Sequence, residues 1–187
     1  MQRQRAAISP VHVVLVMLVL LTACSQQKAS QAPSKTPTPS IIAEFGADNP
    51  ADLTIGPDGT IWFTEHEPNY VGRITSKGSI SLFTTPVVGD KRGGITAGPD
   101  GDIWFVSLGP TTKIGRLTPV GGFTMFALPH GGDIYNLTTG PDGNLWFCEY
   151  ANNQIGRITP TGAVTEFALP TPGSHPQSIT TGSDGNL

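Results

Sequence analysis

Cysteine is scarce in this chain: two occur in 187 residues, Cys24 and Cys148. Charge is also sparse, at 13% Asp, Glu, Lys and Arg. There are only four histidines: His12, His66, His130 and His175. Outside the N-terminal leader no apolar run approaches the ~20 residues of a spanning helix. No segment after the leader carries a helical period. Each shortage excludes something. If Cys24 is used elsewhere, Cys148 has no disulfide partner and reads as a small core side chain. Setting aside Arg3 and Arg5 in the leader, nine Lys and Arg stand against fourteen Asp and Glu. That acidic balance argues against a nucleic-acid partner.

The first forty residues are not fold. Arg3 and Arg5 precede an apolar run from Val11 to Leu21, and "LTAC" follows at Leu21–Cys24. A basic start, a short apolar stretch and small residues before a cut site describe a secretory signal peptide, here 1–23. The Leu-Thr-Ala-Cys ending resembles the lipobox of bacterial lipoproteins. That resemblance implies lipidation of Cys24 and anchorage on the extracytoplasmic side of a bacterial cell membrane. Buried acyl carbons hold at about 0.8 kcal/mol each. Residues 24–40, "CSQQKASQAPSKTPTPS", offer nothing for a core after the cysteine and read as a tether.

What is abundant is repetition. "GPDGTIWFTE" at Gly56 returns as "GPDGDIWFVS" at Gly98, "GPDGNLWFCE" at Gly140 and "GSDGNL" at Gly182. A Gly-Arg phrase follows each complete copy ("VGRIT", "IGRLT", "IGRIT"), and a third phrase closes it ("SISLFTTP", "GFTMFALP", "AVTEFALP"). Pro, Asp and Gly in the turn preset its backbone, bond back to it and accept positive φ. Each unit therefore reads as four short antiparallel strands, A to D. A four-stranded unit of about 42 residues is the signature of a β-propeller blade. The fold class is all-β, a partial propeller over 41–187 with repeat turns at 56, 98, 140 and 182. "IIAEF" at Ile41 reads as a lone D strand. The repeat breaks off inside its fourth copy, after strand A and its turn, so we expect about three and a half blades of a longer, monomeric ring.

The aspartates of these turns do not read as a calcium loop. An EF-hand starting at Asp100 would need Glu at its twelfth position, where Thr111 stands. The recurring arginines, Arg73, Arg116 and Arg157, read as structural bridges between neighbouring blades.

The start of strand A and the end of strand B share one face of the ring. The first gives Ala51, Gly93, Tyr135 and Gln177; the second gives Glu65, Ser107 and Glu149. The B–C loops add His66 and Tyr150, among others, and His175 lies just ahead of the fourth strand A. Candidates for the ligand face are Glu65, His66, Tyr135, Glu149, His175 and Gln177. The partner expected there is a small molecule or peptide at the channel mouth. The glutamates read equally as loop caps, and the loop histidines as solvated side chains.

"GPDGNLWFCE", "NNQIGRITPTG" and "AVTEFALPTPGSHPQSITTG" resemble the virginiamycin B lyase (streptogramin B lyase) family of seven-bladed propellers. The resemblance implies an enzyme that linearises a cyclic depsipeptide antibiotic by elimination at its ester. In that family a histidine removes the α-proton, and a magnesium ion held by glutamates stabilises the developing charge. Those histidines stand in a Pro-His slot just ahead of strand A in late blades. Here Ala51, Gly93, Tyr135 and Gln177 fill the slot, and His175 stands two places too early. No catalytic residue and no magnesium ligand is therefore carried over. A non-catalytic, membrane-tethered propeller that binds a glycan, peptide or protein stays open beside the lyase reading.

Overall fold

The computed structural model describes residues 50–65, 70–86 and 93–187. The leader, Cys24, the tether, the lone strand read at Ile41 and His66 lie outside the described residues. The strands all belong to one unit, Ala47–Leu187. Blade one is β1 (Pro50–Ile55), β2 (Ile61–Glu65), β3 (Tyr70–Ile74) and β4 (Ile80–Thr84). Blade two is β5 (Ile95–Ala97), β6 (Ile103–Leu108), β7 (Thr112–Leu117) and β8 (Phe123–Ala127). Blade three is β9 (Ile134–Thr139), β10 (Leu145–Glu149), β11 (Gln154–Ile158) and β12 (Val164–Ala168). Each sheet pairs its strands antiparallel in chain order. The protein is an all-β partial propeller, as the 42-residue period predicts.

The hairpin between strands A and B repeats atom by atom. Gly56 N–H donates to Thr60 O at 2.8 Å, Gly98 to Asp102 O at 2.8 Å and Gly140 to Asn144 O at 2.8 Å. The last turn glycine of each copy takes a positive φ, 75° at Gly59 and 83° at Gly101, where only glycine sits without strain. The turn aspartate accepts the N–H two residues on: Thr60 at 3.1 Å from Asp58, Asn144 at 3.1 Å from Asp142.

One face of each sheet is built on a ring laid over a glycine. Phe63, Phe105 and Phe147 of strand B lie opposite Gly72, Gly115 and Gly156 of strand C. A Cβ on those glycines would sit 2.1, 2.2 and 2.0 Å from the ring. The glycine of the Gly-Arg phrase is therefore a flat seat. The opposite face carries a Trp stacked on a Phe of strand D: Trp62–Phe83 at 5.5 Å, Trp104–Phe126 at 5.3 Å and Trp146–Phe167 at 5.6 Å.

Blades meet face to opposite face. Trp62, Val71 and Phe83 of blade one pack against Ile95, Ile103, Phe105, Leu117 and Met125 of blade two. Trp104, Val106, Ile114 and Phe126 of blade two pack against Ile134, Leu137, Leu145, Phe147 and Ile158 of blade three. Those among them that are fully buried contribute roughly 1.5–3 kcal/mol each of transfer free energy, while Phe83, Met125 and Phe126 are partly buried. The far face of blade one leaves Leu53, Ile55, Ile80 and Leu82 exposed.

Two expectations change. The arginines are structural, but they brace mainly their own blade. Arg73, Arg116 and Arg157 lie over Trp62, Trp104 and Trp146 at 5.5, 5.8 and 5.6 Å and pair with turn aspartates of the same blade. Of the three, Arg116 also donates to the next blade, to Pro160 O. Strand A of the fourth copy does not form as a strand, although its turn does, with Gly185 N–H donating to Gly182 O at 3.1 Å. No fourth strand B pairs with it among the described residues. It still lies along β9, with the Thr181 hydroxyl donating to Thr139 O at 2.8 Å.

Candidate functional site

The ladder places the start of strand A opposite the end of strand B. Pro50 pairs with Glu65 and Ile134 with Glu149. The two sets of positions do share one end of the sheets. What they carry there differs from blade to blade.

Gly93 is a seat for backbone. A Cβ on it would lie 2.1 Å from Val106 O, and its own carbonyl accepts the Thr64 hydroxyl of blade one at 3.2 Å. Tyr135, one blade on, is 46% exposed. Its ring meets Tyr150 edge-on, centroids 5.8 Å apart. Tyr150 stacks in turn on His175 at 4.6 Å and 25°. The three rings join the start of β9, the end of β10 and the segment after β12. Gln177 is exposed beside them in sequence.

Asn153 builds the His175 turn. Its side-chain oxygen accepts Ser174 N–H at 2.7 Å and His175 N–H at 3.3 Å. Its amide donates to Thr171 O at 2.8 Å. Asn153 and His175 both adopt positive φ, 55° and 49°, which these bonds hold in place.

Glu149 stands at the same end but inside the protein. It is fully buried. Side chains alternate along a strand, so Glu149 follows Phe147 into the seam between blades two and three. Asn152 donates to its Oε2 at 3.2 Å and also donates to Gly131 O. Burial, helped by the neighbouring Glu166 carboxylate, pushes the Glu149 carboxyl up to about 6, against the opposing Asn152 bond and His130 charge. His130 Nδ1 bonds Glu166 Oε2, which raises the imidazole pKa. Glu65 is likewise buried, at 9% exposure.

The sequence reading missed Glu166. It stands in the same column as Leu82 and Met125, each opposite the strand C glycine. An acid in an otherwise apolar column was the available signal. Cys148 is a buried core thiol, its pKa pushed up by burial, as expected. Among the described residues no group of three or more His, Cys, Asp or Glu is placed to hold a metal ion. A cluster of three such ligands for a magnesium ion is therefore not found among the described residues. No helix among them is long and apolar enough to cross a membrane.

Solved structures similar to this chain include lyases. Selenomethionine-substituted virginiamycin B lyase from Staphylococcus aureus is 40% identical, with a TM-score of 0.71, covering 75% of this chain and 50% of that one. A catalytically inactive variant of virginiamycin B lyase from the same organism, crystallised with quinupristin, is 44% identical with a TM-score of 0.69. That match covers 83% of this chain and 49% of that one. A streptogramin B lyase is 42% identical with a TM-score of 0.67, over 71% and 45% of the two chains. This chain thus spans about half the length of these proteins. No curated protein is matched. The profile of the Virginiamycin B lyase family matches residues 27–187, and the chain, with its 42-residue blades and Phe-on-Gly seams, belongs to that family.

Proposed function

We propose that this chain is part of a streptogramin B lyase-like enzyme that linearises a cyclic depsipeptide. The observation that carries the reading is identity of 40–44% to lyases over 71–83% of this chain. In the reaction the α-proton leaves, the Cβ–O bond of the ester breaks, and the ring opens to a carboxylate and an alkene. None of the described residues is assigned the base or a magnesium ligand, so no step is routed through them. Their part is to present a ligand face: Tyr135, Tyr150 and His175 offer stacked rings to a planar group of the substrate. Lipidation of Cys24 would hold the enzyme at the extracytoplasmic membrane surface, as a monomer.

The test is incubation of the whole enzyme of which this chain is part with a streptogramin B antibiotic, followed by chromatography and tandem mass spectrometry. Elimination gives a linear isomer of unchanged mass, whereas hydrolysis adds one water. No linear product would remove the lyase reading.

A second reading is a binding propeller without turnover. It draws on the Pro-His slots, which hold Ala51, Gly93, Tyr135 and Gln177. Saturable binding of the intact cyclic antibiotic, with no product, would select it.

A further inference from the structure

The turn that carries His175 is held in a conformation its own residues disfavour. His175 stands before Pro176, where a chain prefers extended backbone, yet its φ is 49°. Asn153 holds it there. Its Oδ1 accepts the N–H groups of Ser174 and His175, and its amide donates to Thr171 O. Its own carbonyl accepts Leu169 N–H at 3.0 Å. The Ser174 hydroxyl donates to the same Thr171 O at 2.8 Å. Blade two makes the corresponding crossover with Thr112 and Asp133 in the places of Asn153 and His175. The blade itself therefore requires neither residue. A strained turn fixed by so many bonds, at the end of the sheets where a ligand would sit, points to a role there.

The turn sets more than the place of the ring. His175 Nδ1 lies 3.2 Å from Tyr150 O. A carbonyl oxygen only accepts, so Nδ1 carries the hydrogen. In the neutral ring Nε2 is then left with a lone pair. No hydrogen bond from a described residue reaches it. His175 is exposed, stacked on Tyr150, which meets Tyr135 edge-on. A surface of three rings thus ends in one fixed acceptor.

We propose that Asn153 is a positioning residue of the ligand face. It holds His175 against Tyr150 as the Nδ1–H tautomer, so that Nε2 accepts a hydrogen bond from a planar ligand group bearing an O–H or N–H. Asn153 touches no ligand and acts through His175. A planar group without the donor gains the rings alone, so the nitrogen selects among ligands that stack equally well. That the ligand is a cyclic depsipeptide rests on the lyase-like reading above; the tautomer does not.

Nitrogen-15 NMR of the neutral histidine rings, in the whole enzyme of which this chain is part, tests the positioning without any antibiotic. Asn153→Gly removes the side chain and leaves a residue that takes positive φ freely. Asn153→Asp keeps an acceptor for both N–H groups. His175→Phe keeps a ring on Tyr150 and identifies the His175 signal by its loss. In wild type we expect the hydrogen on Nδ1 and the His175 ring protons shifted upfield by Tyr150. Asn153→Gly should move the hydrogen to Nε2 and lose the upfield shift, while Asn153→Asp retains both in part. Unchanged Trp146 signals report that the blade is intact. Wild-type His175 protonated at Nε2, or an Nδ1–H signal that persists in Asn153→Gly, would overturn the positioning role. Kinetics or binding with a streptogramin B antibiotic then test the ligand. His175→Phe should raise KM, or Kd where there is no turnover, by about two- to tenfold, the loss of one hydrogen bond. The Nδ1–H tautomer with an unchanged constant in His175→Phe ends the ligand assignment alone. A wild-type enzyme that does not bind the antibiotic ends that assignment and the lyase-like reading together.

Discussion

Arg116 donates a hydrogen bond from Nη1 to the carbonyl oxygen of Pro160, 3.0 Å away and one blade along. The same guanidinium lies over Trp104 and Phe126. One side chain thus braces its own blade and ties it to the next. Arg73, by contrast, pairs with the exposed Asp58 of its own turn. Arg116→Ala should lower stability by about 1–2 kcal/mol, from one hydrogen bond and its ring contacts. Arg73→Ala should cost less, since Arg73 lies over one ring where Arg116 lies over two, and its exposed ion pair contributes about 0–1 kcal/mol. Urea denaturation of the two variants checks the order.

Gly156→Ala should be among the most damaging single changes. The new methyl would stand 2.0 Å from the Phe147 ring, which has no room to retreat in the core. Overpacking of this kind costs about 3 kcal/mol. A thermal melt that matches wild type would show that the seam can relax, contrary to expectation.

The turn aspartates are not equivalent. The Trp104 indole N–H donates to Asp100 Oδ1 at 3.0 Å, and Trp146 to Asp142 at 3.0 Å. In blade one, Asp58 bonds Thr60 and Arg73 instead, and the Trp62 indole nitrogen has no partner. Asp100→Ala leaves a buried indole N–H unsatisfied, a cost of about 1–3 kcal/mol. Asp58→Ala strands no such group. Paired chemical denaturation should find Asp100→Ala the more harmful.

His130 should titrate above its ordinary 6.5, since the Glu166 bond and charge favour the imidazolium. Its contribution to stability is complete below 6.5 and disappears as pH rises through the folded value. NMR of the ring protons should report that elevated midpoint. In Glu166→Met it should return toward 6.5. An unchanged midpoint in that variant would assign the shift elsewhere.

If the ligand face is the ring stack, Tyr135→Ala and His175→Ala should each weaken binding of the cyclic antibiotic. An aromatic contact of about 0.5–1.5 kcal/mol corresponds to a loss of roughly two- to tenfold. Calorimetry on the folded variants measures it. Equal affinity in both would move the ligand away from these rings.

The blade was legible because its chemistry is local. Pro57, Asp58 and Gly59 specify a turn by their own backbone preferences, and Trp62 to Thr64 a strand by composition. The seams were less legible. That Gly72, Gly115 and Gly156 seat a ring depends on register, which places them opposite Phe63, Phe105 and Phe147. Glu149 was placed at the right end of its strand, but its burial was not legible, because sequence gives a side chain's position along the strand and not what packs over it. Tyr150 and His175 are 25 residues apart, and their stacking depends on how Asn153 folds the intervening turn. The strand expected near Ile179 needed a ladder partner, which no local preference supplies.

The Phe-on-Gly seat and the Trp–Phe stack recur at both seams, with rungs one period apart: Thr139 donates to Ala97 O, and Thr181 to Thr139 O. In genetic terms this makes the 42-residue unit an exchangeable cassette. Unequal recombination in register adds or removes a whole blade and leaves an ordinary seam on either side of the join. Blade number can then drift by copy number, with no point mutation needed to repair a contact. A join falling between His130 and Glu166 is the exception. It would place a buried acid beside a neighbour that lacks its histidine, so selection on stability would be expected to remove recombinants there first.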